Sequence, residues 1–109
     1  MISLDFLQGR ITYDNLSFLQ NSSLNGQIDS LKEDMLQVEY SEGYLLDVGW
    51  FPSFDIGGNF QIKVVKDYEW NTPVLALTAY SIDSLIKQLL FAQNKINRAF
   101  TQPTAIWTT

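Results

Sequence analysis

Asp47 and Asp55 are the residues whose type and spacing come nearest to chemistry. They flank the aromatic stretch Gly49-Trp50-Phe51-Pro52-Ser53-Phe54. Two carboxylates split between a protonated acid and an ionised base can cleave glycosidic bonds. Together with Asn59 they also offer the oxygen ligands that hard divalent cations take. The surrounding pattern does not support either use. The Asp55 loop lacks the alternating acids and terminal Glu of a calcium loop, and Asp55-Ile56-Gly57-Gly58-Asn59 is an ordinary turn composition. Gly57-Gly58 is followed by neither the Gly-Lys-Ser/Thr nor the helix start of a phosphate cradle. The chain has no Cys and no His. That removes thiolate nucleophiles, thiolate zinc sites, Ser-His-Asp triads and imidazole proton shuttles. Ser and Thr are plentiful but have no base in a motif, and Lys87 sits among polar neighbours as a solvated residue. The residues point to no catalytic centre, no cofactor site and no metal site, and so away from an enzyme.

Binding is the chemistry that remains. Seven Lys and Arg against twelve Asp and Glu give a net charge of −5, which disfavours direct contact with nucleic acid or an anionic membrane. The balance is uneven. Residues 1–62 carry nine acids against Arg10 and Lys32, a net of −7, whereas residues 63–109 carry Asp67, Glu69 and Asp83 against five bases, a net of +2. Acidity serves solubility, and it also suits a face meant for a basic partner. Trp50 lies on an alternating apolar run and reads as core. Trp70 lies in the polar stretch Lys66-Asp67-Tyr68-Glu69-Trp70-Asn71, where it either folds over the sheet or anchors a partner.

The elements that position these residues follow from periodicity. A length of 109 residues, 46% of them hydrophobic, predicts one domain with a core large enough to need no disulfide. Leu36, Val38 and Tyr40 alternate with polar residues, as do Leu46, Val48 and Trp50, and Phe60, Ile62 and Val64. With the apolar run Val74 to Tyr80 they predict four strands, joined by a hairpin turn at Ser41-Glu42-Gly43 and another at residues 55–59. From Ser81 to Arg98, Ile82, Leu85, Ile86, Leu89, Leu90 and Ile96 recur at three- and four-residue spacing, continuing to Phe100, and predict a long helix. Ser81 caps its start, and Lys95 and Arg98 suit its last turns. The fold class is therefore α+β: an antiparallel meander of four or slightly more strands with a C-terminal helix on its apolar face. Residues 1–32 are poorly readable, with alternation at Ile2, Leu4 and Phe6 broken by Gly9, and a short helix expected around 27–33. Residues 101–109 read as a tail in which Ile106 and Trp107 can dock on the body. No stretch reaches the length of a membrane span, and the N-terminus has no leader pattern, so a cytoplasmic location is expected.

The run from Leu46-Asp47-Val48-Gly49-Trp50-Phe51-Pro52-Ser53-Phe54-Asp55 through Gly58-Asn59-Phe60-Gln61-Ile62-Lys63-Val64-Val65-Lys66-Asp67 to Trp70 and Pro73 resembles small bacterial immunity proteins of contact-dependent growth inhibition and related polymorphic-toxin loci. The resemblance covers about residues 33–98. It implies a protein that binds and blocks the toxic C-terminal domain of a cognate effector, often a nuclease, and it carries over no catalytic residue. A nuclease is basic where it grips phosphates, so an inhibitor can occupy that site with acids. Glu39, Glu42, Asp47 and Asp55 are the expected acidic face, with Tyr44 or Trp70 as anchor. The competing readings are an adaptor or regulatory accessory protein of a mobile element, which has no toxin encoded beside it, and a carboxylate or metal-dependent enzyme, which needs Asp47 and Asp55 to converge.

Overall fold

A computed structural model describes residues 1–101. The alternating runs form strands in an antiparallel sheet of order β1-β2-β3-β4-β5, each strand pairing with the next in sequence. The strands are β1 (Arg10–Asp14), β2 (Leu36–Glu39), β3 (Tyr44–Phe51), β4 (Asn59–Lys66) and β5 (Leu75–Ala79), and a single helix, α1 (Ile82–Thr101), follows them. The four predicted strands are β2 to β5. The fifth, β1, falls in the poorly readable N-terminal part: Ile11 and Tyr13 alternate with Arg10, Thr12 and Asp14, but over only five residues, and the first four of them are exposed. The expected tail lies, from residue 102 on, outside the described residues, as do Ile106 and Trp107. Among the described residues no helix is long and apolar enough to cross a membrane.

Cross-strand register explains the core. Leu36 faces Val48, Val38 faces Leu46, Val48 faces Ile62 and Trp50 faces Phe60, which puts every one of these side chains on one side of the sheet. They are buried in a single cluster with Ile82, Leu85, Leu89, Ala92 and Ile96 of α1. The Trp50 and Phe60 rings meet edge to face at 4.8 Å, a favoured aromatic geometry, and the Trp50 indole N–H donates to the Asp55 carbonyl at 2.8 Å. Leu90, expected in the apolar stripe, is 41% exposed. At 100° per residue the buried positions step 82, 85, 89, 92–93 and 96, and Leu90 falls beside that line.

The first third of the chain covers the part of the core that one helix leaves open. Ile2, Leu4, Leu7, Leu16, Leu19, Leu24 and Leu31 all join the same cluster. The helix expected at 27–33 is instead a 3-10 segment at Leu24–Ser30, capped by the Ser23 side chain, and Leu31 is already extended. Leu24, Leu31 and Met35 are buried as expected, but from a chain that turns rather than from one helical face.

Two close approaches fix this arrangement. Trp50 N–H donates to Lys32 O at 2.8 Å and Met35 N–H to Val48 O at 3.0 Å, leaving Glu33 and Asp34 bulged out of the β2–β3 ladder. The Glu33 carbonyl sits where a side chain on Gly49 would be, so only glycine fits there. The second approach centres on Gln93, which is 3% exposed. Its Oε1 accepts from the Gln8 N–H and the Tyr40 hydroxyl, both at 2.7 Å, and its Nε2 donates to Phe6 O at 3.0 Å. Burial pushes the Tyr40 phenol up to about 12, opposed in part by a backbone hydrogen bond from Gly9, so it stays a donor at any physiological pH.

Replacing Gln93 with Leu keeps the volume but strands the Gln8 N–H and the Tyr40 hydroxyl. We expect a loss of about 3 kcal/mol and a fall in Tm of roughly 10–20 °C, read by thermal denaturation. Tyr40→Phe, which removes the partner of the Gly9 N–H and strands one Gln93 lone pair, should cost about 1–2 kcal/mol; equal stability of Gln93→Leu and wild type would show that the network contributes nothing.

Candidate functional site

The six residues singled out from the sequence do not form one patch. Glu39 and Asp47 share the sheet face opposite the core, as alternation requires. Gln37 pairs with Asp47 and Glu39 with Leu45, so the two acids are diagonal neighbours on adjacent strands. Each has a cation beside it. Arg10 forms an ion pair with Glu39, and Lys63 lies directly across from Asp47 on β4. This face is therefore mixed in charge rather than uniformly acidic.

Asp47 is half-buried. Desolvation, with the nearby Asp34 carboxylate adding to it, raises its pKa above the ordinary value, and Lys63 pulls the other way. A shallow pocket of about 260 Å³ lies here, lined by Tyr13, Asp34, Leu36, Gln37 and Asp47. Leu45 and Val65, paired on this same side, are also buried yet stand outside the main core cluster.

The other four residues separate. Tyr44 aligns with Leu46, Val48 and Trp50 on the core side, half-buried against the hydrophobic cluster, with Lys66 Nζ 4.8 Å from its ring centroid. It thus faces away from Glu39 and Asp47. Asp55 lies in the β3–β4 connection, where its carboxylate accepts the Gly57 N–H at 2.8 Å and its carbonyl accepts the Trp50 indole. Those bonds make it a turn residue, separated from Glu42 by the length of β3, about 25 Å. Asp47 in mid-strand and Asp55 in the loop do not converge on a pocket, as the carboxylate-enzyme reading requires. Among the described residues no group of three or more acidic side chains is placed to hold a metal ion.

The loops that carry Glu42 and Trp70 do meet. The β2–β3 turn holds Glu42 at φ 64° and Gly43 at φ 79°, and the β4–β5 connection holds Asp67 at φ 54° and Tyr68 at φ 61°. The Asp67 N–H donates to Gly43 O at 2.9 Å, and the Asp67 carboxylate occupies the space a Gly43 side chain would need. Further backbone bonds from Glu69 to Lys66, Trp70 to Tyr68 and Thr72 to Glu69 close the second loop on itself. The result is one end of the sheet where Glu42, Asp67 and Glu69 are exposed together with Tyr68 and Trp70, the rings 69% and 42% exposed. The sequence flagged Trp70 and Glu42; it gave no sign that Asp67 links their loops.

Comparison of the chain with family models, with curated proteins and with solved structures returned no match.

The raised pKa of Asp47 has a definite sign. A carboxyl that binds its proton more tightly when folded destabilises the fold once ionised, so its penalty is present above the folded pKa and absent below the ordinary value of 3.8. Asp47→Asn should therefore be more stable than wild type at pH 7, with the difference shrinking to nothing as pH falls below 3.8. Urea melts at several pH values read this; a destabilised variant at neutral pH would instead mean that ionised Asp47 supports the fold.

Proposed function

We propose that this chain is a cytoplasmic immunity protein that binds and neutralises the toxic C-terminal domain of a cognate contact-dependent growth inhibition effector, a basic domain such as a nuclease. The observation that carries this reading is the end of the sheet where the two bonded loops expose Glu42, Asp67 and Glu69 together with Tyr68 and Trp70. Interfaces draw their energy from a few aromatic anchors inside a polar rim. Complementary charge around such anchors speeds encounter with a basic partner. A net charge of −5 and the resemblance over residues 33–98 support the same reading. Inhibition then needs no catalysis by this chain: occupying the surface on which a toxin grips its substrate is enough.

Speed matters for such a protein, because an incoming toxin acts from the moment it is folded in the cell. Electrostatic steering raises association rates well above the neutral range and is lost with salt. The loops that carry the anchors are tied to each other and to strand ends, so little ordering remains to be done on binding.

The test is a rescue assay with the C-terminal domain of the protein encoded immediately upstream, expressed with and without this chain. Survival only with this chain, and co-purification of the pair, is the expected result; toxicity that this chain does not relieve would favour the adaptor reading. Within the complex, Trp70→Ala should weaken binding by about 30-fold or more. Glu42→Lys with Glu69→Lys should slow association and flatten its salt dependence. Unchanged affinity and rates in all of these variants would remove this end of the sheet from the interface.

A further inference from the structure

The hydrophobic core is open at one end. Between the last turns of α1 and the sheet lies a groove of about 280 Å³, with Ile96 and Ala99 on the helix side and Tyr44, Val64, Val74 and Leu75 on the strand side. Val64 and Ile96 are buried members of the core cluster, and Tyr44 and Leu75 pack against it half-buried. Val74 is 59% exposed. Lys95 is the charged residue of the lining, and its exposure puts it at the rim. Apolar surface recessed in this way fits an apolar side chain.

The chain itself supplies one. α1 ends at Thr101, about 3 Å along the helix axis from Ala99, so residues 102–109 begin beside the groove. Pro103 lacks the N–H that another helical turn needs and disfavours helical backbone at the residue before it. Residues 102–109 carry no charged side chain, and their large apolar side chains are Ile106 and Trp107. From Thr101 to Ile106 an extended chain spans up to about 18 Å, ample for a return to Ala99.

We infer that residues 102–109 fold back on the domain and seat Ile106 and Trp107 in this groove, against Val74 and Leu75. The tether selects this occupant. A segment joined to the groove by a few residues meets it at an effective concentration of roughly millimolar. A separate molecule arrives at its own dilute concentration and gives up translational freedom on binding. Seating the two side chains removes apolar surface of the groove and of the segment from water together. Tyr44 and Val74 stand where the two bonded loops of the acidic end join β3 and β5, so the seated segment braces that end. The inference does not depend on the proposed toxin contact.

Nuclear magnetic resonance of the labelled full chain tests this. The chain has three Trp, and Trp70→Phe and Trp107→Phe assign their indole signals. Nuclear Overhauser contacts from the Trp107 ring to the Val74 and Leu75 methyls, independent of protein concentration, are the expected result. A Trp107 ring without contact to the groove overturns the inference. So do contacts that appear only as concentration rises, which seat a neighbour's segment instead. Val74 is exposed, so Val74→Asp alters the groove without entering the core, and the Trp50 indole N–H, held by the Asp55 carbonyl, reports an intact fold. In that variant the Trp107 signal should move to its position in a synthetic peptide of residues 102–109; an unmoved signal places the segment elsewhere and also overturns the inference. Trp107→Ser should lower Tm by about 4–8 °C, and an unchanged Tm counts against the seated ring in the same way.

Discussion

The amide of Gln93 is the constraint on which the rest of the fold depends. It is the buried polar side chain of the described residues, and its three hydrogen bonds reach the N-terminal segment at Phe6 and Gln8 and the end of β2 at Tyr40. Those are three parts of the chain more than 30 residues apart. A buried amide with unmet hydrogen-bonding capacity is costly, whereas a fully met one fixes a single arrangement. Asn97, one turn further along α1, adds a bond from its Nδ2 to Gln8 Oε1 at 2.9 Å. The helix therefore does two things at once: its aliphatic stripe closes the sheet, and its amides hold the N-terminal segment over the area that the stripe does not reach.

With the core secured on one side, polar chemistry is divided among three other places. The open sheet face is mixed in charge, with Arg10 beside Glu39 and Lys63 across from Asp47, while the Asp34 carboxylate adds to Asp47. The end near Asp55 spends its polar groups on holding a turn around the Trp50 indole. The end formed by the β2–β3 turn and the β4–β5 connection is where acids and aromatic rings are left facing solvent. Exposed acids also stand elsewhere, at Asp5, Asp29, Glu33, Asp34, Asp55 and Asp83; what marks this end is that its acids share it with exposed rings, and the proposed partner contact rests on that combination rather than on the overall charge of −5.

The sequence made the strands β2 to β5 and the helix legible because their burial alternates with the periods of two and 3.6 that a folded element imposes. It missed β1, where Ile11 and Tyr13 alternate with polar residues over only five positions, a run too short to stand out. It placed Leu90 in the buried stripe and overlooked Gln93, because hydrophobicity was the signal and a satisfied buried amide leaves none. The candidate site was legible one residue at a time: Glu42 and Trp70 were named, but the meeting of their loops depends on the Asp67 N–H bonding across to Gly43, a contact 24 positions apart in the chain. The side on which Tyr44 lies has a local reason. The 3-10 turn at Ser41–Gly43 gives way at once to a strand whose even-numbered residues all face inward.

Glu42, Tyr68, Glu69 and Trp70 stand outside the hydrophobic cluster, on loops whose shape is set by backbone bonds and left-handed residues rather than by those side chains. Replacing one of these side chains leaves the core and the Gln93 network untouched. Most sequence change in a small protein is restricted by the narrow margin of folding stability; at this end of the sheet that restriction is relaxed. The fold thereby separates what must be kept from what can drift, and a lineage of such chains can change the surface of the proposed contact step by step while the core stays the same.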